Sequence, residues 1–300
     1  MSRAYSISAR RVYTKVRVCQ MWGIPRSTHY ARLEAVQRPA EPKRRGRKPV
    51  VSDEVVVLEI RAVLYQAEAL GIRGEGYRKV WARLRHKGIP ISKERVRRLM
   101  RLHGLQAPHR AQRVRGPKVH DGSIIPETPN RIWGTDATQV FTRQEGTATV
   151  FVAVDHFVGD VVGIHAALRA TRFEALEPVY QGVREHFGPL DEGVAQKLIL
   201  RHDHGSQYMS RHFQEEIAFL GIESSPSFVK APEGNGVAER FIRTLKEQLL
   251  WIHTYDTVEE LRQSLLEFKD RFNRHWLLQR HGYATPAQVR AAYASMAHAA

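Results

Sequence analysis

The chain has 300 residues, enough for one sizeable core with one or two small domains, and its 42% apolar content excludes wholesale disorder. A formal charge of +16 and a pI near 10.2 call for a polyanionic partner, nucleic acid before anionic membrane. Cys19 is the single cysteine, which excludes an internal disulfide and a cysteine-rich zinc site.

The charge is unevenly placed. Residues 1–120 carry 29 Lys/Arg against 8 Asp/Glu, whereas residues 121–300 carry 18 against 23. A basic front and a mildly acidic back imply one part that grips phosphate and another that needs carboxylates, set against the plainer alternative of a generally basic surface. The N-terminus lacks the apolar run of a secretory signal. The most apolar stretch, TATVFVAVDHFVGDVVGIHAAL, is broken by Asp155, His156, Asp160 and His165. A charge inside a bilayer costs roughly 2.5–3.5 kcal/mol, so a span is not expected there. A cytoplasmic protein with no membrane partner is the expectation.

In chain order, residues 1–34 contain a helix-turn-helix-like segment over 12–34, two short helices around Gly23-Ile24-Pro25, for which a simple helical hairpin is the alternative. Residues 35–52 read as a basic linker, with five cations between Lys43 and Lys48. Such an arm, with Lys43, Arg44, Arg45 and Arg47, either lies in a DNA minor groove or is a solvated tether. Residues 53–105 form a helical helix-turn-helix domain: Val56, Ile60, Val63, Leu64 and Ala67 on a first stripe, Val80, Trp81 and Leu84 on a second, a turn over Gly88–Ile91, and Ser92 capping a third helix. That third helix presents Lys93, Arg95, Arg97, Arg98 and Arg101 away from its apolar face, the pattern of a groove-bound recognition helix. Residues 106–126 are a second basic linker.

Residues 127–292 change texture. RIWGTDATQVFT, TATVFVAVDHF and VVGIHAAL predict a three-strand meander, followed by a helix over 172–187, a buried strand KLILRHD, a helix over 209–220, a short strand ESSPSF and a long helix over 235–252. The prediction is an α/β domain with a mixed sheet. In this layout Asp136 lies on the first strand, Asp203 follows the buried strand, and Glu239 sits one turn into the last helix, so the three converge. Carboxylates so close repel one another, and a hard cation with oxygen ligands explains their grouping better than stability does.

Thirty-five residues separate Asp203 from Glu239, and Lys246 follows Glu239 by seven, on the same helix face. With W-x-x-D at Asp136, D-x-G-S-Q-Y at 203–208, N-G-x-x-E at 235–239 and the C-terminal FN…GYATPAQV, the chain resembles the DDE transposases and retroviral integrases. GYRKVWARLR…RVRRLMRLHGL ahead of them makes it most similar to OrfB-type transposases of the bacterial insertion-sequence family numbered three.

The resemblance implies an RNase H-like catalytic core with a mixed five-stranded sheet, preceded by small all-α helix-turn-helix-like segments. It implies two Mg²⁺ ions, with Mn²⁺ able to substitute, Asp136 bridging both while Asp203 and Glu239 each bind one. The implied activity is DNA 3′-end cleavage and strand transfer at the ends of an insertion sequence. Lys246 and Arg243 would hold DNA phosphates. The implied partners are the terminal inverted repeats, target DNA, further copies of the chain, and an upstream helix-turn-helix protein or fusion. Beside the acids, Asp155 is a neighbouring acid on strand two, and His204 stands where Asn is frequent in the family. Gly205 would let backbone approach a phosphate or make an ordinary turn, and Asn235 would open the last helix. A DNA-binding regulator with an inactive back half would have no reason to keep the three acids. A nuclease for RNA–DNA hybrids would keep them but not the basic helices.

Overall fold

The computed structural model describes residues 5–37, 50–108, 126–227 and 235–299. The chain divides into two compact units, residues 1–50 and 51–300.

In the first unit, a two-residue antiparallel pair, β1 (Tyr5–Ser6) and β2 (Arg11–Val12), precedes α1 (Lys15–Met21) and α2 (Arg26–Gln37). Thr14 caps α1 by accepting a hydrogen bond from the Arg17 amide. Gly23, at φ +61°, ends the helix with a turn in which the Ile24 amide reaches back to the Cys19 carbonyl. The helix–glycine–helix outline is as the sequence predicts; α2 runs to Gln37, three residues into the stretch read as linker.

The second unit opens with α3 (Asp53–Ala69), α4 (Tyr77–His86) and α5 (Lys93–Leu102). Ser52 and Ser92 accept from the amides three residues on, capping α3 and α5. The predicted stripes meet in one small core of Val56, Ile60, Val63, Val80, Leu84, Val96, Leu99 and Met100. The Trp81 indole donates to the Ile91 carbonyl and fixes the α4–α5 turn.

The remainder is an α/β domain. Strands β3 (Ile132–Thr142), β4 (Gly146–Asp155) and β5 (Val161–Ala167) form the antiparallel meander. Then come α6 (Arg172–His186), β6 (Ile199–His202), α7 (Ser206–Met209), α8 (Arg211–Phe219) and β7 (Glu223–Pro226). β6 pairs parallel with β3, and β7 parallel with β6, giving the order β5-β4-β3-β6-β7. This is the mixed sheet that the strand pattern predicts, with the five strands of the RNase H-like core that the resemblance implies.

After β7, α9 (Gly236–Leu245) passes into a π-helical turn (Lys246–Leu250), and α10 (Val258–His275) and α11 (Pro286–Ala299) close the chain. The single long helix expected over 235–252 is therefore α9 with a π-turn on its end. α10 lies where sequence periodicity assigned no element.

Both faces of the sheet are covered. Val150, Val152 and Val154 of β4 pack with α9 and α10, while the intervening Phe151 and Ala153 pack with α6 and α8. Burial on both sides explains why β4 reads as an unbroken apolar run rather than an alternating one. Among the described residues no helix is long and apolar enough to cross a membrane.

Candidate active site

Alternation along β3 sends Trp133 and Ala137 to the α6/α8 side and Val140 to the α9/α10 side, the side that Asp136 shares by parity. The β3–β6 register pairs Ile132 with Ile199 and Gly134 with Arg201. Continued two residues past the end of that pairing, it sets Asp203 level with Asp136. α9 buries Ala238, Phe241, Ile242 and Leu245 against the sheet and carries Glu239 in its first turn.

The electrostatics record this convergence. Burial pushes the Asp136 carboxyl up to about 6, and the charges of Asp203 and Glu239 push the same way, while Lys246 opposes them. Burial also raises Glu239. Lys246 is half-buried at the start of the π-turn, within electrostatic reach of Asp136. The two acids, Glu239 and the cation form one charged cluster.

Each aspartate is held by one oxygen. Asp136 Oδ1 accepts from the Ala137 amide at 2.8 Å, and Asp203 Oδ1 accepts from the Gly205 amide at 2.7 Å. A side chain at Gly205 would press its Cβ to 2.8 Å from that oxygen, so glycine keeps the turn closed. Among the described residues no three potential ligands are already drawn together around one point. The donor set nonetheless fits a hard divalent cation: three carboxylates, no thiol, and a mutual repulsion that a cation would relieve.

Asn235 does more than open a helix. It is buried, and its amide group donates to the Thr135 carbonyl at 2.8 Å, which fastens the start of the Glu239 helix to the peptide bond just before Asp136. Gly134 makes the room, because a Cβ there would lie 2.5 Å from both Asn235 Oδ1 and His156 Nε2. Two supporting residues escape sequence reasoning. Buried Tyr208 receives a hydrogen bond from Thr135 beneath the acids, and burial with the charges of Asp136 and Asp203 holds its phenol protonated. His156, buried beside Gly134, is driven down to about 4 and stays neutral. Tyr208 was legible as the last residue of D-x-G-S-Q-Y, whereas nothing local marks His156.

Other predicted residues go elsewhere. Asp155, expected beside Asp136, pairs in register with Trp133 while Asp136 pairs with Val152. Its carboxylate is fully buried and accepts from the Asn130, Phe157 and Val158 amides and the Trp133 indole, with Arg290 at 3.6 Å. Loop closure consumes it, a correction to the reading of Asp155 as a neighbour of the site. His204 is exposed beside Asp203. Buried His202 joins the Asp203 carbonyl to the Ser224 hydroxyl, tying β6 to β7.

The cations of α5 divide. Arg95 donates to Asp53 and to the Val51 carbonyl and is drawn onto the N-terminus of α3, which corrects the expectation that it points outward; Arg98 also reaches Asp53 but stays exposed. Lys93 lies 4.4 Å over the Trp81 ring. Arg97, paired with neighbouring Glu94, and Arg101 are exposed. Arg243 is exposed and paired with Glu247 one turn on. Lys43, Arg44, Arg45 and Arg47 lie outside the described residues.

The comparisons with known proteins follow the same division. The HTH-like domain family matches residues 74–113, and the integrase core domain family matches residues 220–286. A Mycobacterium tuberculosis protein of insertion sequence element IS986/IS6110 is 28% identical over 250 residues, 78% of this chain and 88% of its own length. The transposase for IS629 of Shigella sonnei is 25% identical over 92% of this chain and 91% of its own. The InsD transposase for IS2D of Escherichia coli K12 is 26% identical over 86% of each. Among solved structures, the catalytic core domain of BIV integrase aligns at TM-score 0.41 and 20% identity, over 57% of this chain and 97% of that one. That of HTLV-2 integrase in complex with magnesium aligns at 0.40 and 21%, over 56% and 98%. The chain thus matches an HTH-like domain family and an integrase core domain family over separate segments. Over most of its length it is similar to transposases of bacterial insertion sequences.

Proposed function

We propose that this chain is an insertion-sequence transposase that cuts DNA at the element's 3′ ends and joins those ends to target DNA. The observation that carries the reading is the single charged cluster of Asp136, Asp203, Glu239 and Lys246 on one side of an integrase-type sheet. Asp136, Asp203 and Glu239 would hold Mg²⁺, which supplies the positive charge that phosphoryl transfer needs at the attacking and leaving oxygens. Lys246 offers a cation to a DNA phosphate at the edge of that cluster without being a ligand. The Gly205 amide holds Asp203 in place, and Asn235 holds the helix of Glu239 to the strand of Asp136. Arg97 and Arg101 of α5, Arg243, and the basic arm of Lys43 to Arg47 would grip phosphate along the element ends. Two ends must be brought together, so the working form is an oligomer on DNA.

Substituting Asp203→Asn tests the assignment. The neutral amide keeps the size but not the charge, so the variant should bind terminal-repeat DNA like the parent and lose both cleavage and joining. Mg²⁺-dependent strand transfer near the parent rate would overturn it. Cleavage of an RNA–DNA hybrid in preference to duplex DNA ends would point to a nuclease instead.

A further inference from the structure

α3 carries two apolar faces. Val56, Ile60, Val63 and Ala67 fill the small helical core. On the outer side Val55, Leu58 and Tyr65 remain 48%, 67% and 75% exposed. With half-buried Ala62 and exposed Ala69 they recur at intervals of three and four residues along the whole helix. That spacing is the seam of a two-helix coiled coil, and within the second unit Val55, Leu58 and Tyr65 leave it open.

We propose that the outer face of α3 pairs antiparallel with the same face of a second copy of this chain. Shape favours a second copy. In one register Tyr65 meets the partner's Ala62 and Leu58 meets the partner's Ala69, so that these layers set a large side chain against a small one, with Val55 lying beyond the end of the partner's helix. The twofold symmetry repeats both contacts.

Charge selects the same register. The residues flanking the seam are Glu54, Arg61 and Glu68 on one side, and Glu59 and Gln66 on the other. The large-against-small register brings Arg61 to the partner's Glu68, twice, and leaves Glu59 opposite the partner's neutral Gln66. Sliding by one heptad toward the N-terminus sets Arg61 against the partner's Arg61 and Glu54 against the partner's Glu68. Parallel in-register pairing would stack Tyr65 on the partner's Tyr65 and Ala62 on the partner's Ala62. Of the two antiparallel registers, the one that joins opposite charges is the one that packs. α3 is about 25 Å long at 1.5 Å per residue, so the interface is small and the dimer concentration-dependent. The inference goes beyond the proposed activity and does not rest on it.

Sedimentation of the full chain without DNA tests it. The parent should pass from monomer to dimer as concentration rises. Leu58→Asp, at a site two-thirds exposed in the monomer, should abolish the dimer while circular dichroism stays unchanged. Arg61→Glu and Glu68→Arg should each weaken the dimer about tenfold, and the double variant should restore it. A chain carrying Leu58→Cys with Ala69→Cys should oxidise to a covalent dimer that Leu58→Cys alone does not form. A parent that stays monomeric at every concentration overturns the proposal. So does a dimer that survives Leu58→Asp, or a double charge reversal that fails to restore association.

Discussion

A carboxylate held above its ordinary range is a liability that the fold tolerates at Asp136. Its folded value of about 6 exceeds the usual 3.8, so between those values the folded chain holds more protons than the unfolded chain. Stability from this group is thus lost as pH rises from about 4 to 6 and stays lost above. Asp136→Asn removes the charge and should raise unfolding stability by about 1–3 kcal/mol at pH 8 without metal, the gain vanishing below about pH 4. Urea titrations of both proteins across that range check it, and a gain that persists at pH 4 would contradict the burial and repulsion given as its cause. Mg²⁺ should reverse the order, raising the Tm of the parent and leaving the variant unmoved. His156 runs the other way. Its folded value of about 4 lies below the usual 6.5, so it stays neutral and withdraws stability as pH falls below 6.5. Buried Asp160, raised by burial to about 6, is held against Arg290.

At the scale of elements, the sheet depends on how closely α6 approaches β5. A Cβ at Gly163 would fall 1.9 Å from the backbone oxygen of Pro178, inside the helix. Neither backbone can yield without moving the other, so Gly163→Ala should cost about 3 kcal/mol or more by chemical denaturation, the upper end for overpacking. A loss under about 0.5 kcal/mol would show that α6 slides freely over the sheet. The α9-to-π-turn transition is a second element-level decision. Through it Lys246 stays within reach of Asp136, while two residues later the Gln248 amide exchanges hydrogen bonds with the Arg73 amide and carbonyl, before α4.

That exchange belongs to a wider joint between the helix-turn-helix-like region and the integrase core. Arg83 of α4 grips Glu75 through two hydrogen bonds of 2.6 and 2.8 Å and also donates to the His275 carbonyl at the end of α10. Trp81 meets Tyr283 edge to face, and Lys79 lies 3.1 Å over the Trp276 ring. The Glu75 side chain is 1% exposed, so its removal strands a guanidinium that is itself only 20% exposed. Glu75→Ala should cost about 2–3 kcal/mol, part of the Arg83 charge being recovered by solvent. The parent should unfold in a single thermal transition, and because the joint then weakens, the variant should unfold in two. Calorimetry that shows one unshifted transition would mean that the two parts do not share their stability.

Periodicity and motif spacing settled much of this molecule in advance, since both depend on neighbours in sequence. The meander from β3 to β5, the cap at Ser92, and the placing of Asp136, Asp203 and Glu239 on a strand, a strand end and a first helical turn could all be read from residue order. Local pattern does not encode which long-range partner claims a side chain. Arg95 looks like a groove-reading cation until Asp53, more than 40 residues away, takes it. Asp155 looks like a fourth acid until strand register sets it opposite Trp133, while Val152 faces Asp136, and it becomes the anchor of its own loop. Asn235 and His156 meet only because Gly134 leaves them space from a different strand. Such decisions belong to the tertiary structure, because burying a charge or an amide is tolerable only where the whole fold delivers its partner.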